Sequence, residues 1–147
     1  MVKKISKTFH TGSIKKTISI NASKQKVWQK ISNITGLPLW VVDVKITSAT
    51  AEVYESWWDY KADVTVKVAN YGDLSAPANS VTITVQSWSS TSLYDEESVT
   101  YNQIITSGSE LTDEITVDVD DSNVSGTYFE VILFYNNVQV DTKTVYG

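Results

Sequence analysis

Ala62, Val64, Val66 and Val68 alternate with Asp63, Thr65 and Lys67, and this period of two constrains the fold more than any other feature of the chain. Residues two apart share a face only when the backbone is extended, so this segment has one apolar and one wet side. The rhythm returns in Val81, Ile83 and Val85 around Thr82 and Thr84, and in Ile115, Val117 and Val119 with Thr116, Asp118 and Asp120. Phe129, Val131 and Leu133 enclose Ile132 and Phe134, which are apolar as well, and that predicts a central strand covered on both faces. Val138 and Val140 begin a last strand. Asn70-Tyr71-Gly72, Pro77, Ser107-Gly108, Asp120 to Gly126 and Asn136-Asn137 punctuate the runs. The asparagine pair suits a two-residue hairpin, because asparagine tolerates the positive φ of primed turns. Six or seven short strands over roughly a hundred residues without a helix predict an antiparallel, immunoglobulin-like β-sandwich.

The texture differs upstream of residues 43–50. Ile14, Ile18 and Ile20 alternate with Lys15, Thr17 and Ser19, which reads as a short strand. NASKQKVWQKISNITG then predicts a helix, capped by Asn21 or Ser23 and ended by Gly36 and Pro38. Its Val27, Trp28, Ile31 and Ile34 recur at helical spacing. A helix this short is marginal alone, so its Trp28 face requires a packing partner. The expected fold is therefore mainly β: a sandwich of about seven strands preceded by a short strand-helix segment.

Charge divides the chain at the same place. Residues 1–48 hold nine lysines and one acid, Asp43, a net of +8, whereas residues 49–147 hold three lysines and sixteen acids, a net of −13. The expected organisation is a basic segment, 1–48, and an acidic sandwich, 49–147. The basic part docks on the acidic one or serves an anionic partner. Arginine is absent, which removes the bidentate reader of guanine and argues against specific nucleic-acid recognition. Cysteine is absent too, which excludes disulfides, thiolate zinc sites and cysteine nucleophiles. No stretch approaches the roughly 18 apolar residues of a membrane span. MVKKISKTFHTGSIKK lacks the apolar run of a secretory signal, so the expected compartment is the cytoplasm, or the extracellular space for a processed or trimmed form.

Few residue groupings suggest chemistry. His10 is the single histidine and has no evident partner, and no Ser-His-acid set, phosphate-binding glycine loop or metalloprotease motif is present. No catalytic residue is assigned and an enzyme is not expected. DVDDSN gathers Asp118, Asp120, Asp121 and Asn123, oxygen ligands of the kind calcium prefers, although Asp and Asn also populate turns for local reasons. VYESWWDY is aromatic-rich. Were it extended, Tyr54, Trp58 and Tyr60 would share one face and Val53 and Trp57 the other, sending one tryptophan into a core. Tyr54, Trp57, Trp58 and Tyr60, with Trp28 and Trp40 upstream, are the candidate ligand-binding residues. Tyr54, Trp58 and Tyr60 read as a sugar-stacking platform, joined by Trp88 or Tyr94, or else the rings form a seam where the basic segment, showing Trp28 and Trp40, covers the sandwich.

Two resemblances cover different parts. TISINASKQKVWQKISNITGLPLWVVDV, through Ala22-Ser23, Val27-Trp28 and Trp40, resembles the opening of the START-like, polyketide-cyclase (SRPBCC) superfamily over residues ~14–44. That resemblance implies a helix-grip fold around an apolar ligand, closed by a C-terminal helix. The end of this chain, YFEVILFYNNVQVDTKTVYG, reads instead as two strands and a hairpin. ADVTVKVANYGD, IITSGSELTDEITVDV and GTYFEVILFYNNVQV make residues ~60–147 resemble a CARDB-like module. This is an adhesion-related, immunoglobulin-like domain that serves as a spacer or binding unit on surface proteins. The expected function is thus a non-enzymatic interaction or structural module with a protein partner or self-association. A small hydrophobic-ligand carrier and a carbohydrate-binding module are the alternatives.

Overall fold

The computed structural model describes residues 3–5, 16–18 and 40–147. The chain divides into two compact units, Met1–Val41 and Val42–Gly147. Residues 42–48, counted with the basic segment by the charge division, therefore belong with the sandwich. In the first unit, β1 (Lys3–Ile5) pairs antiparallel with β2 (Lys16–Ile18), Lys3 lying opposite Ile18. The strand expected around Ile18 is present, and its partner β1 was not expected. The helix expected over 21–36, with Trp28, lies outside the described residues, as does His10.

The second unit is a seven-stranded sandwich. Its strands are β3 (Val44–Ser56), β4 (Asp59–Asn70), β5 (Val81–Ser89), β6 (Ser92–Thr100), β7 (Glu110–Val119), β8 (Thr127–Tyr135) and β9 (Val138–Tyr146). One sheet runs β3-β4-β7, the other β6-β5-β8-β9, with antiparallel neighbours throughout. The chain changes sheet after β4, β6 and β7, as Greek-key sandwiches do.

The predicted alternation is the observed one. Ala62, Val64, Val66 and Val68 of β4 are wholly buried, and face Val81, Ile83 and Val85 of β5 and Phe129, Val131 and Leu133 of β8 across the interior. Ile115, Val117 and Val119 of β7 complete this layer. Each large side chain removed from water contributes about 1.5–3 kcal/mol, so the interleaved rows dominate the favourable energy. β8 lies between β5 and β9, the central position that its doubly apolar pattern predicted. Asn136 and Asn137 have φ of 50° and 65°, both positive as a type I′ turn requires.

Two sandwich strands escaped the sequence reading. In β3 the register shifts between Ile46 and Ser48, so the alternation changes phase inside the strand. β6 is an edge strand with seven exposed residues among its nine, and an edge strand that covers little of the core carries no apolar rhythm.

At each lateral opening an aspartate joins the sheets. Asp141 of β9 accepts the Ile46 N–H at the β3 bulge at 2.8 Å, and Asp95 of β6 accepts the Asp118 N–H of β7 at 2.8 Å. Asn70, fully buried at the end of β4, satisfies four backbone groups. Its Oδ1 accepts from Asp43 (3.2 Å) and Gly72 (3.0 Å), while its Nδ2 donates to the carbonyls of Leu74 (2.8 Å) and Ile105 (3.0 Å). Unsatisfied buried polar groups cost about 1–3 kcal/mol each. Asn70→Ala should therefore destabilise the protein by about 3 kcal/mol, read as a lowered urea midpoint with unchanged slope.

Candidate functional site: the aromatic end of the sandwich

The β3–β4 hairpin closes at Ser56 opposite Asp59, so Trp57 and Trp58 are its two turn residues. This corrects the extended reading of 53–60: neither tryptophan enters a core, and they are 87% and 90% exposed. Trp57 has φ of 55°, a left-handed backbone, whereas Trp58 does not. That sign pattern belongs to a type II′ turn, whose first position favours glycine. A bulky side chain there costs on the order of 1 kcal/mol.

The turn also resets the face assignments. Tyr54 sits opposite Lys61, and Tyr60 opposite Glu55, so the two tyrosines do not share a face. Tyr60 packs partly buried against the core. Tyr54 lies on the outer face and donates its hydroxyl to Asp63 Oδ1 at 3.2 Å. Loss of hydration, with the negative charge of Asp63, raises the Tyr54 phenol above its ordinary value. Of the remaining candidates, Trp40 is half-exposed and belongs to the first unit, while Trp28 lies outside the described residues.

A second aromatic group, which the sequence reading missed apart from Trp88, crosses the outer face of the four-stranded sheet at this end. Trp88 of β5 pairs with Tyr128 of β8, and Tyr128 with Tyr146 of β9. The Trp88 and Tyr128 ring centroids are 6.3 Å apart with planes 8° from parallel, and Tyr146 follows at 6.3 Å with a tilt of 41°. Leu93 of β6 extends the row on the other side. The next tier is polar. Trp88 Nε1 donates to Gln86 Oε1 (3.0 Å), Gln86 Nε2 to Glu96 Oε2 (2.7 Å), and Thr144 Oγ1 to Glu130 Oε1 (2.7 Å). Tyr128 and Tyr146 looked like ordinary strand residues because only the strand register aligns them.

The β7–β8 connection borders the same end, and Asp120 and Asn123 hold it in place. The Asp120 carboxylate accepts from Ser89 Oγ (2.7 Å), Ser122 N (3.0 Å) and Ser122 Oγ (2.6 Å). Asn123 Nδ2 donates to Ser89 Oγ and Ser90 Oγ, both at 3.0 Å, and Asp118 pairs with Lys61. Asp121 is exposed. Asp120 and Asn123 thus make local contacts within and beside the connection, whereas Asp118 belongs to β7. Among the described residues no three acidic or histidine side chains are grouped to hold a metal ion. Tyr94 is the extra residue where β6 bulges, and its phenol is raised by loss of hydration and then by the charges of Asp120, Asp121, Asp118 and Asp59. The aromatic end is thus also an acidic one.

Hydrogen bonds from Ser122 and then Ser89 lower the Asp120 carboxyl below its ordinary value. A lowered acid stabilises the fold above its unfolded pKa of about 3.9, and that contribution fades as pH falls through the folded value. Asp120→Ala should accordingly lower the melting temperature at pH 7, with the difference from the parent shrinking below about pH 4. At the turn, Trp57→Gly should leave stability unchanged or raise it by up to about 1 kcal/mol, whereas Trp58→Gly should lower it. Parallel urea denaturation of both variants checks the assignment of strain to Trp57.

Among the described residues no helix is long and apolar enough to cross a membrane. No protein-family model matches the chain, and no curated protein does either. Among solved structures it is similar to a β-glucuronidase of glycoside hydrolase family 2, at 11% identity and a TM-score of 0.50, over 71% of this chain. The chain spans only 11% of that enzyme's length. The archaellum periplasmic stator protein FlaG from Sulfolobus acidocaldarius matches at 13% identity and a TM-score of 0.42, over 71% of this chain and 99% of FlaG. A β-glucosidase from Kluyveromyces marxianus matches at 14% identity and 0.38, over 82% of this chain and 16% of the enzyme. The likeness to the β-glucuronidase is one of fold alone: the same kind of β-sandwich, carried as a small part of a larger chain.

Proposed function

We propose that this protein is a non-enzymatic interaction module that grips a protein partner with the tip of its β3–β4 hairpin. The supporting observation is the exposure of Trp57 and Trp58 together, one of them in a backbone conformation that glycine would occupy at lower energy. Tryptophan is the side chain most often found as the anchor of an interface, because it buries a large area at low entropic cost. Glu55 and Asp59 flank the pair and favour a pocket with a cationic rim. The spacer and binding roles of CARDB-like domains are of this class. A second reading, sugar binding, draws on the Trp88–Tyr128–Tyr146 row, whose polar tier of Gln86, Glu96, Glu130 and Thr144 lies within reach of a stacked ring's hydroxyls.

Crosslinking through a photoreactive residue placed at Trp58, followed by titration calorimetry with the purified crosslinked protein, tests the first reading. Trp57→Gly together with Trp58→Ala should weaken binding about 10–100-fold while the sandwich stays folded. Unchanged affinity in that variant rejects the hairpin tip as the anchor. Fluorescence titration with laminarin, xylan and cellohexaose supplies the other arm. Saturable quenching abolished by Trp88→Ala but not by Trp58→Ala would place the function on the outer sheet face instead.

A further inference from the structure

The outer face of the four-stranded sheet sets two chemically different rows side by side. The first, Leu93, Trp88, Tyr128 and Tyr146, takes one residue from each strand in its order across the sheet. In the second, Glu96 pairs with Gln86, Gln86 with Glu130, and Glu130 with Thr144. The rows are two residues apart along β5, β8 and β9, roughly 7 Å at the rise of an extended chain.

No cation shares this face. β5, β6 and β8 hold no lysine, and Lys143 of β9 lies opposite the buried Val131, on the other phase of its strand from Thr144. Among the described residues the ion pairs are Lys45 with Asp43 and Lys61 with Asp118, so neither glutamate has a counter-charge. One oxygen of each is held by a neighbour: Gln86 Nε2 donates to Glu96 Oε2 and Thr144 Oγ1 to Glu130 Oε1, both at 2.7 Å. On the other side of the aromatic row, Ser89 follows Trp88 and donates to Asp120, which brings the acidic β7–β8 connection alongside. The aromatic row is therefore bordered by negative charge on both sides.

A centroid distance of 6.3 Å lies at the wide end of offset stacking, so the Trp88 and Tyr128 rings overlap little, and Tyr146 is 76% exposed. Ring faces bordered by carboxylates suit a ligand with flat apolar faces and cationic edges. Glu96 and Glu130 are two strands apart, about 9.6 Å. In a chain built like cellulose successive pyranose rings turn over, so substituents on one edge recur at every second ring, a repeat of similar length.

We propose that this face binds a polymer of glucosamine, laid across the strands with its rings on Trp88, Tyr128 and Tyr146 and every second ammonium group at Glu96 or Glu130. The proposal rests on the sugar-binding reading of the row and names its ligand class.

Titration calorimetry of the full chain at mildly acid pH, with the amines protonated and the glutamates ionised, tests it. The glucosamine hexamer should bind about 5–10-fold more tightly than cellohexaose or the N-acetylglucosamine hexamer, the worth of two exposed ion pairs. That advantage should shrink at about 0.5 M NaCl and vanish in Glu96→Gln/Glu130→Gln, which keeps the residual affinity for the neutral chains. Trp88→Ala should weaken all three, and so should Tyr146→Ala, whose exposed side chain keeps the test valid if Trp88→Ala folds poorly. Trp57→Gly/Trp58→Ala should bind like the parent. Equal affinity for the three hexamers, or a preference that survives in the double glutamine variant, would overturn the ligand class while the sugar reading stands. Hexalysine binding as tightly as the glucosamine hexamer would overturn it too, because the face would then read charge alone. Failure of every hexamer to bind would reject the sugar reading as well.

Discussion

Two apolar rows facing one another hold this sandwich together, and most other features follow from keeping them dry. Every second residue of β4, β5, β7 and β8 points inward, and at the centre these side chains are wholly excluded from water. Polar groups buried without partners are costly beside such packing, so the borders of the core are heavily hydrogen-bonded, with Ser87 Oγ and the Tyr101 hydroxyl as exceptions among the described residues. Asn70 closes one end by satisfying four backbone groups from different loops. Asp141 and Asp95 close the two sides, each accepting a backbone N–H from the other sheet. Carboxylates suit that task because charge-assisted hydrogen bonds hold their geometry near solvent.

With the interior committed to packing, the departures from local rules lie at the periphery. The β3–β4 turn concentrates what the fold does not need: two exposed tryptophans, one of them at a position with positive φ. Strain of this kind persists where the surrounding structure over-determines it, and the long pairing of β3 with β4 on either side does so here. Two local rules are broken together at one turn, whereas the other hairpin turns of the sandwich use serine or asparagine at positive φ. That concentration sets the tip apart from incidental surface hydrophobicity.

The same division governs how much was legible in the sequence. β4, β5, β7 and β8 announce themselves because half of each strand's residues must be apolar, and a period of two has one geometric explanation. The Asn136-Asn137 turn is readable for a similar reason, since few residues accept its backbone. β3 and β6 were hidden because a bulge shifts the phase of one and solvent bathes most of the other. The aromatic end was half legible. Trp57 and Trp58 stand out as a dipeptide, but extending the strand through them put Tyr54 and Tyr60 on one face, and a two-residue turn separates them.

What local chemistry fixes in this protein is therefore the class of fold, the inward rows and the sign of charge along the chain. These depend on residues two apart or on simple composition. The pairing of Trp88 with Tyr128 and Tyr146, the commitment of Asp120 to a serine-held loop, and the meeting of β6 with β7 at the side of the sandwich depend on which strands become neighbours. Strand order arises from burying all four rows at once, a condition on the whole chain that no short window of it contains.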